Sequence, residues 1–189
     1  MERDANWRIS RTRVVEVEAS MKRCLVLLGG PPGVGKSTVL ECLSELLPNV
    51  ALLDADDVTN TATNFSEDPA IVIQTVVASM RDRLARSDGN GILAWVFARA
   101  EMFMPVIAGL EDTVDAVEQV YLVASEANLR ERLMVRGDTD KLEYAKTRLA
   151  LIEKLPHRRI DTARLTPQQV AQEVLDVFEV ARQEKSHRR

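Results

Sequence analysis

Apolar residues in this chain come in short runs, separated by stretches in which they recur every three or four positions. The first run, Cys24-Leu25-Val26-Leu27-Leu28, is continuous, with Lys22 and Arg23 before it and Gly29-Gly30 after it. That is the pattern of a strand buried on both faces. Val39, Leu40, Leu43, Leu46 and Leu47 follow at helical spacing, which predicts an amphipathic helix. The alternation then repeats. Residues 50–53 predict a second strand, and 69–86 a helix with Ile71, Val72, Val76, Met80 and Leu84 on one stripe. Residues 91–97 predict a third strand, 99–110 a helix with Met102 and Met104 in its core face, and 119–123 a fourth strand. Ser125 and Asn128 open a helix that turns Leu129, Leu133 and Met134 inward, and Gly137 ends it. A further helix is predicted over 139–155 and a short fifth strand over 159–161. Thr166-Pro167 places a cap and then a proline at the first position of the last helix.

Nearly all-apolar strands alternating with helices predict an α/β fold, a parallel sheet covered by helices on both faces. Crossovers are then right-handed, and ligands bind beyond the carboxyl ends of the strands. With 189 residues, one domain over 21–182 is expected. Residues 1–20 read as a loose polar extension, with a short strand at Val14, Val15 and Val17 as the alternative. Residues 183–189 read as a frayed charged tail.

Charge and composition narrow the partners. Twenty-nine acidic residues against 25 basic leave a net charge of −4, which favours neither nucleic acid nor an anionic membrane. Aromatic residues are 4%, too few for an extended base-stacking surface. No run approaches the ~20 apolar residues of a membrane span, and no signal-peptide core stands at the N-terminus. A cytoplasmic protein is expected, a monomer by default with a dimer allowed. Cys24 and Cys42 read as reduced, buried thiols, and no structural metal is expected.

Two constellations carry chemistry. Gly30-Pro31-Pro32-Gly33-Val34-Gly35-Lys36-Ser37 satisfies G-x-x-x-x-G-K-[ST] in full, with Thr38 continuing into the helix. Strand before and helix after are the context this phosphate-binding loop requires. Its backbone N–H groups and the helix N-terminus would surround a polyphosphate. Lys36 would reach the β- and γ-phosphates and Ser37 would ligate Mg²⁺. The second is Asp54-Ala55-Asp56-Asp57 at the end of the second strand. In an extended segment Asp54 and Asp56 share a face. One would hold Mg²⁺, for which Asp54 is the candidate. The other, Asp56, would orient or deprotonate an attacking hydroxyl. Asp57 is a weaker candidate, or a helix cap.

With these segments in order, the chain resembles the small P-loop kinases, the group that includes shikimate kinase, gluconate kinase, adenylate kinase-like enzymes and chloramphenicol phosphotransferase. Beyond the loop and the Asp54-Ala55-Asp56 segment, the resemblance runs through 120–123, Leu129-Arg130-Glu131-Arg132-Leu133-Met134-Val135-Arg136, and 160–170. It implies a P-loop NTPase three-layer sandwich with five parallel strands in the order 2-3-1-4-5. It also implies ATP with Mg²⁺ as donor, an acceptor-binding region over 57–88 and a lid over 130–150. Arg136 best matches the lid arginine that clamps the transferring phosphate, Arg132 comes next, and Arg148 is weaker. Residues 161–164 match an adenine-contacting loop. The implied activity is phosphoryl transfer to a hydroxyl of a small molecule, with no nucleic-acid or membrane partner. The chain departs from the pattern at the third strand, where Leu93-Ala94-Trp95-Val96-Phe97 carries no carboxylate until Glu101. That leaves an ATP-binding switch without metabolite kinase activity as the alternative. Trp95 and Phe97 read as core, with an acceptor pocket as their other reading, and His157 reads as a surface histidine.

Overall fold

The computed structural model describes residues 22–59 and 68–183. The readings for 1–20 and for the tail beyond Gln183 lie outside the described residues, as does 60–67 within the expected acceptor region.

Strands β1 (Cys24–Gly29), β2 (Ala51–Asp54), β3 (Gly91–Trp95), β4 (Ala116–Val123) and β5 (Arg158–Asp161) alternate with helices. These are α1 (Lys36–Leu46), α2 (Ala55–Thr59), α3 (Pro69–Ala85), α4 (Ala100–Leu110), α5 (Glu126–Arg136), α6 (Leu142–Ile152) and α7 (Pro167–Gln183). The strands form one sheet in the order β2-β3-β1-β4-β5. Every pairing is parallel.

β1 lies at the centre and is wholly buried. Its residues alternate between the two faces. Cys24, Val26 and Leu28 join the core beneath α1, α5, α6 and α7. Leu25 and Leu27 join the core beneath α3 and α4. Hiding each leucine side chain from water contributes about 1.5–3 kcal/mol, which is why this strand reads as an unbroken apolar run. Gly29, its last residue, lies against the Tyr121 ring of β4, where a Cβ would come within 2.4 Å of the ring carbons. Tyr121 is itself buried, its hydroxyl donates to Gln119 Oε1 at 3.1 Å, and desolvation pushes its phenol up to about 12.

Several elements differ from the expectation. β4 starts at Ala116 although Glu118 and Gln119 interrupt its apolar run, because its first half is only half-buried. The helix expected over 139–155 is a 3₁₀ turn, Thr139–Lys141, followed by α6. Four expected core residues face outward: Leu46, Ile71, Met104 and Met134. The inward stripe of α3 is Val76, Met80 and Leu84. Ile71, five positions before Val76, falls about 140° away from it at about 100° per residue. Met134 follows the buried Leu133 by one position and leaves the stripe the same way. Cys24 is buried and Cys42 half-buried, both as free thiols, and burial pushes the Cys24 thiol up to about 12. No helix among the described residues is long and apolar enough to cross a membrane.

Candidate active site

The carboxyl ends of β1, β2 and β3 meet on one side of the sheet, and the loop 30–35 sits at their centre. It turns because Gly33 and Gly35 take φ of 79° and 105°, left-handed values that disfavour any side chain. Gly33 is fixed a second way, since a Cβ there would lie 2.9 Å from Leu133 Cγ on α5. α1 then starts at Lys36 with no side-chain cap on its N–H groups. Those donors and the positive end of the helix dipole point into the loop.

Lys36 is buried, 7% exposed. Its Nζ donates to Gly30 O at 2.9 Å and Pro31 O at 3.2 Å. Burial holds its pKa below the ordinary lysine value, while Asp56 and Asp54 oppose that shift. Ser37 Oγ donates to Asp54 Oδ2 at 2.7 Å. The pair expected to hold Mg²⁺ is thus in contact.

Asp54 and Asp56 converge by a different route from the extended one expected. The chain leaves β2 at Asp54 and becomes helical at Ala55. Asp54 Oδ1 accepts from Asp56 N at 3.1 Å, capping that turn. Asp56 opens onto the cleft. Desolvation by the protein behind it, then the Asp54 charge, raises its pKa above the ordinary carboxylate value, and Lys36 and Lys141 pull it back. Asp57 is exposed and lines neither cavity described next.

Two cavities flank the loop. One, about 580 Å³, runs from Gly33, Val34, Gly35 and Thr38 past Val39, Arg132 and Arg136 to Thr162, Leu165 and Val170. The other, about 550 Å³, is lined by Pro32, Lys36, Ser37 and Asp56 on the loop side. Trp95, Val96, Met102, Arg136, Asp138, Asp140, Lys141 and Tyr144 line it opposite. Gly33, Gly35, Thr38 and Arg136 border both.

The arginines expected in the lid differ sharply. Arg132 is held fast: its guanidinium donates to Val34 O at 3.2 Å, Thr162 Oγ1 at 2.9 Å and Thr162 O at 2.9 Å. It ties α5 to the glycine loop and to the turn after β5. Arg136, at the end of α5, is exposed and makes one ion pair, to Asp138 at 3.2 Å. Arg148 lines neither cavity; its guanidinium lies 4.5 Å from the centroid of the Tyr144 ring. In the segment 161–164, Thr162 faces the first cavity and Asp161 Oδ1 caps Ala163 N at 2.9 Å.

Sequence reasoning did not find Met102, Asp138, Lys141 and Tyr144 as cavity residues. Lys141 and Tyr144 are three apart at helical spacing after Gly137, a faint signal. Trp95 lines the second cavity, whereas Phe97 is core. His157 is half-buried, its ring 5.7 Å from that of Tyr121 and 6.4 Å from that of Phe103.

Known proteins share both its sequence pattern and its fold. Residues 26–153 match the AAA domain family. A shikimate kinase from Corynebacterium efficiens is 30% identical over 174 residues, covering 84% of this chain and 99% of that enzyme. Two solved structures share the fold. The Mycobacterium tuberculosis APS kinase in complex with AMPPNP and APS has a TM-score of 0.61 at 20% identity, covering 84% of this chain and 99% of its own. A gluconokinase from Sinorhizobium meliloti has a TM-score of 0.61 at 17% identity, covering 82% and 92%.

Proposed function

The chain belongs to the AAA domain family, and from that membership we propose that it is a kinase moving the γ-phosphate of ATP to a hydroxyl of a small molecule. The observation that carries the reading is the meeting of two cavities at one phosphate-binding loop, with Gly33, Gly35, Thr38 and Arg136 bordering both and Lys36, Ser37 and Asp56 in the wall of the second.

In this reading the cavity beside Arg132 and Thr162 takes the nucleotide, and the one beside Asp56 and Trp95 takes the acceptor. Backbone N–H groups of 33–38 hold the phosphates, and Lys36 exchanges its two carbonyl partners for phosphate oxygens. Ser37 Oγ and the Asp54 carboxylate behind it present hard oxygen donors, the kind Mg²⁺ accepts beside phosphate and water. When bound, the ion neutralises charge shared by the β- and γ-phosphates. In this reading Asp54, at the end of β2, takes the part of the carboxylate absent after β3, and its contact with Ser37 supports that.

Asp56 accepts a hydrogen bond from the attacking hydroxyl. The acceptor oxygen bonds the γ-phosphorus as the bond to the β–γ bridging oxygen breaks. ADP leaves with that electron pair, and the acceptor proton passes to Asp56. Arg136, tied by one exposed ion pair, is free to turn onto the phosphoryl group, where a guanidinium stabilises spread negative charge. Arg132 acts by position, holding α5 against the loop so that Arg136 stands in reach.

Replacing Lys36 with alanine tests the reading. ATP turnover should fall on the order of 10²–10³-fold while circular dichroism and cooperative unfolding stay intact. Full activity in that variant would overturn it.

A further inference from the structure

The relatives described above are named for acidic acceptors, yet the acceptor cavity here is poorly furnished for an acid. Three cations line it, and each has a partner. Lys36 is held by Gly30 O and Pro31 O. Arg136 and Lys141 converge on the same carboxylate, Asp138, at 3.2 and 3.1 Å. Once a nucleotide is in place, Lys36 and Arg136 serve its phosphates. What remains for the acceptor is one cation, Lys141, against Asp56, Asp138 and Asp140, of which Asp140 is exposed and in no ion pair among the described residues. The rest of the wall is soft and aromatic: Trp95, Met102 and Tyr144. No other cation lines the cavity among the described residues. Neither Arg99, exposed at the start of α4, nor Arg148, whose guanidinium lies 4.5 Å from the Tyr144 ring, is in its wall.

Resting on the kinase reading above, we infer that the acceptor is a hydroxylated amine, an amino-sugar or amino-alcohol compound with its ammonium towards Asp140 and Asp138 and a carbon face on Trp95 and Tyr144. A carboxylate placed there would meet excess like charge, and among the described residues no unpaired guanidinium stands in the wall to receive it. An ammonium meets opposite charge, and aromatic faces attract it as well.

Three probes that differ only at one carbon separate the classes: glucamine, sorbitol and gluconate, bearing an ammonium, a hydroxyl and a carboxylate at pH 7. Binding is read from Trp95 fluorescence in a Trp7→Phe background, which leaves Trp95 as the single tryptophan. Glucamine should bind about two- to fivefold more tightly than sorbitol, and gluconate most weakly. Asp140→Asn should narrow the glucamine preference by about two- to fivefold and leave sorbitol unmoved. Gluconate binding as well as or better than glucamine overturns the inference, as does no binding by any of the three. ADP release, measured in parallel with ATP and Mg²⁺, tests the other reading on its own. Glucamine bound without ADP release sinks the kinase while the amine site stands. Gluconate bound and phosphorylated does the reverse.

Discussion

The two cavities beside the glycine loop are similar in size but built on different principles. In the proposed reading the nucleotide side joins the glycine loop to Arg132, locked by three hydrogen bonds, with the apolar Val39, Leu165 and Val170 beside them. The acceptor side, in the same reading, faces the loop with side chains from α2, β3, α4 and the 136–144 stretch, two of them in ion pairs that reach the surface. A polyphosphate is the same in every kinase, so main-chain donors suffice to hold it. An acceptor is particular, and only side chains distinguish one from another. The first side is therefore rigid and general, the second adjustable and specific.

The largest effect that would break this division is at Asp56. Replacing it with asparagine should lower kcat about 10²-fold or more with the KM for ATP nearly unchanged; a matching rise in that KM would place Asp56 on the nucleotide side. The same variant sharpens the picture through pH. Because the Asp56 pKa lies above its ordinary value, the basic form is lost as pH falls through that raised value. The acid limb of kcat/KM should therefore stand above the ordinary aspartate value and vanish in the asparagine variant. The stability sign follows: a carboxyl whose folded pKa is raised is disfavoured when ionised, so Asp56→Asn should raise Tm at pH 7 while it removes activity.

Smaller effects separate the arginines. Arg136→Ala should lower kcat about tenfold or more and leave unfolding free energy within about 0.5 kcal/mol, since it loses only an exposed ion pair. Arg132→Ala should cost about 1–3 kcal/mol of stability in a urea titration, because buried Thr162 O and Val34 O lose their donor, with a secondary rise in the KM for ATP. If the two variants traded signatures, the rigid and adjustable sides would have to be exchanged. The smallest effect is expected far from both. Arg81→Ala, which breaks an exposed pair with Asp112 at 2.8 Å and an exposed hydrogen bond to Gly109 O, should change kinetics not at all and stability by about 1 kcal/mol.

The asymmetry also explains what could be read from the residues alone. The phosphate loop is local: eight consecutive positions, a strand before and a helix after, and φ values that only glycine meets. The sheet was legible for a related reason, since strands buried on both faces leave unbroken apolar runs. The Asp54–Asp56 pair stood out in the sequence although its geometry did not; the chain turns helical at Ala55, where the extended reading runs on through Asp56. The acceptor wall was opaque. Trp95, Met102, Asp138 and Tyr144 lie on four separate segments, and only the crossover of β3 and the placement of α5 and α6 bring them together. Arg132 and Arg136 look alike in sequence, four apart on one helix. What separates them is Thr162, thirty residues further on.

The contact between Gly29 and the Tyr121 ring has a consequence for how this chain can change. The two positions share one volume across neighbouring strands, so neither is free to drift alone. An alanine at 29 is admissible only after 121 has shrunk, and a smaller residue at 121 leaves a hole until 29 grows. Among related chains the pair should therefore switch together, and a double-mutant cycle on Gly29→Ala and Tyr121→Leu should show the combined variant more stable than the sum of its parts.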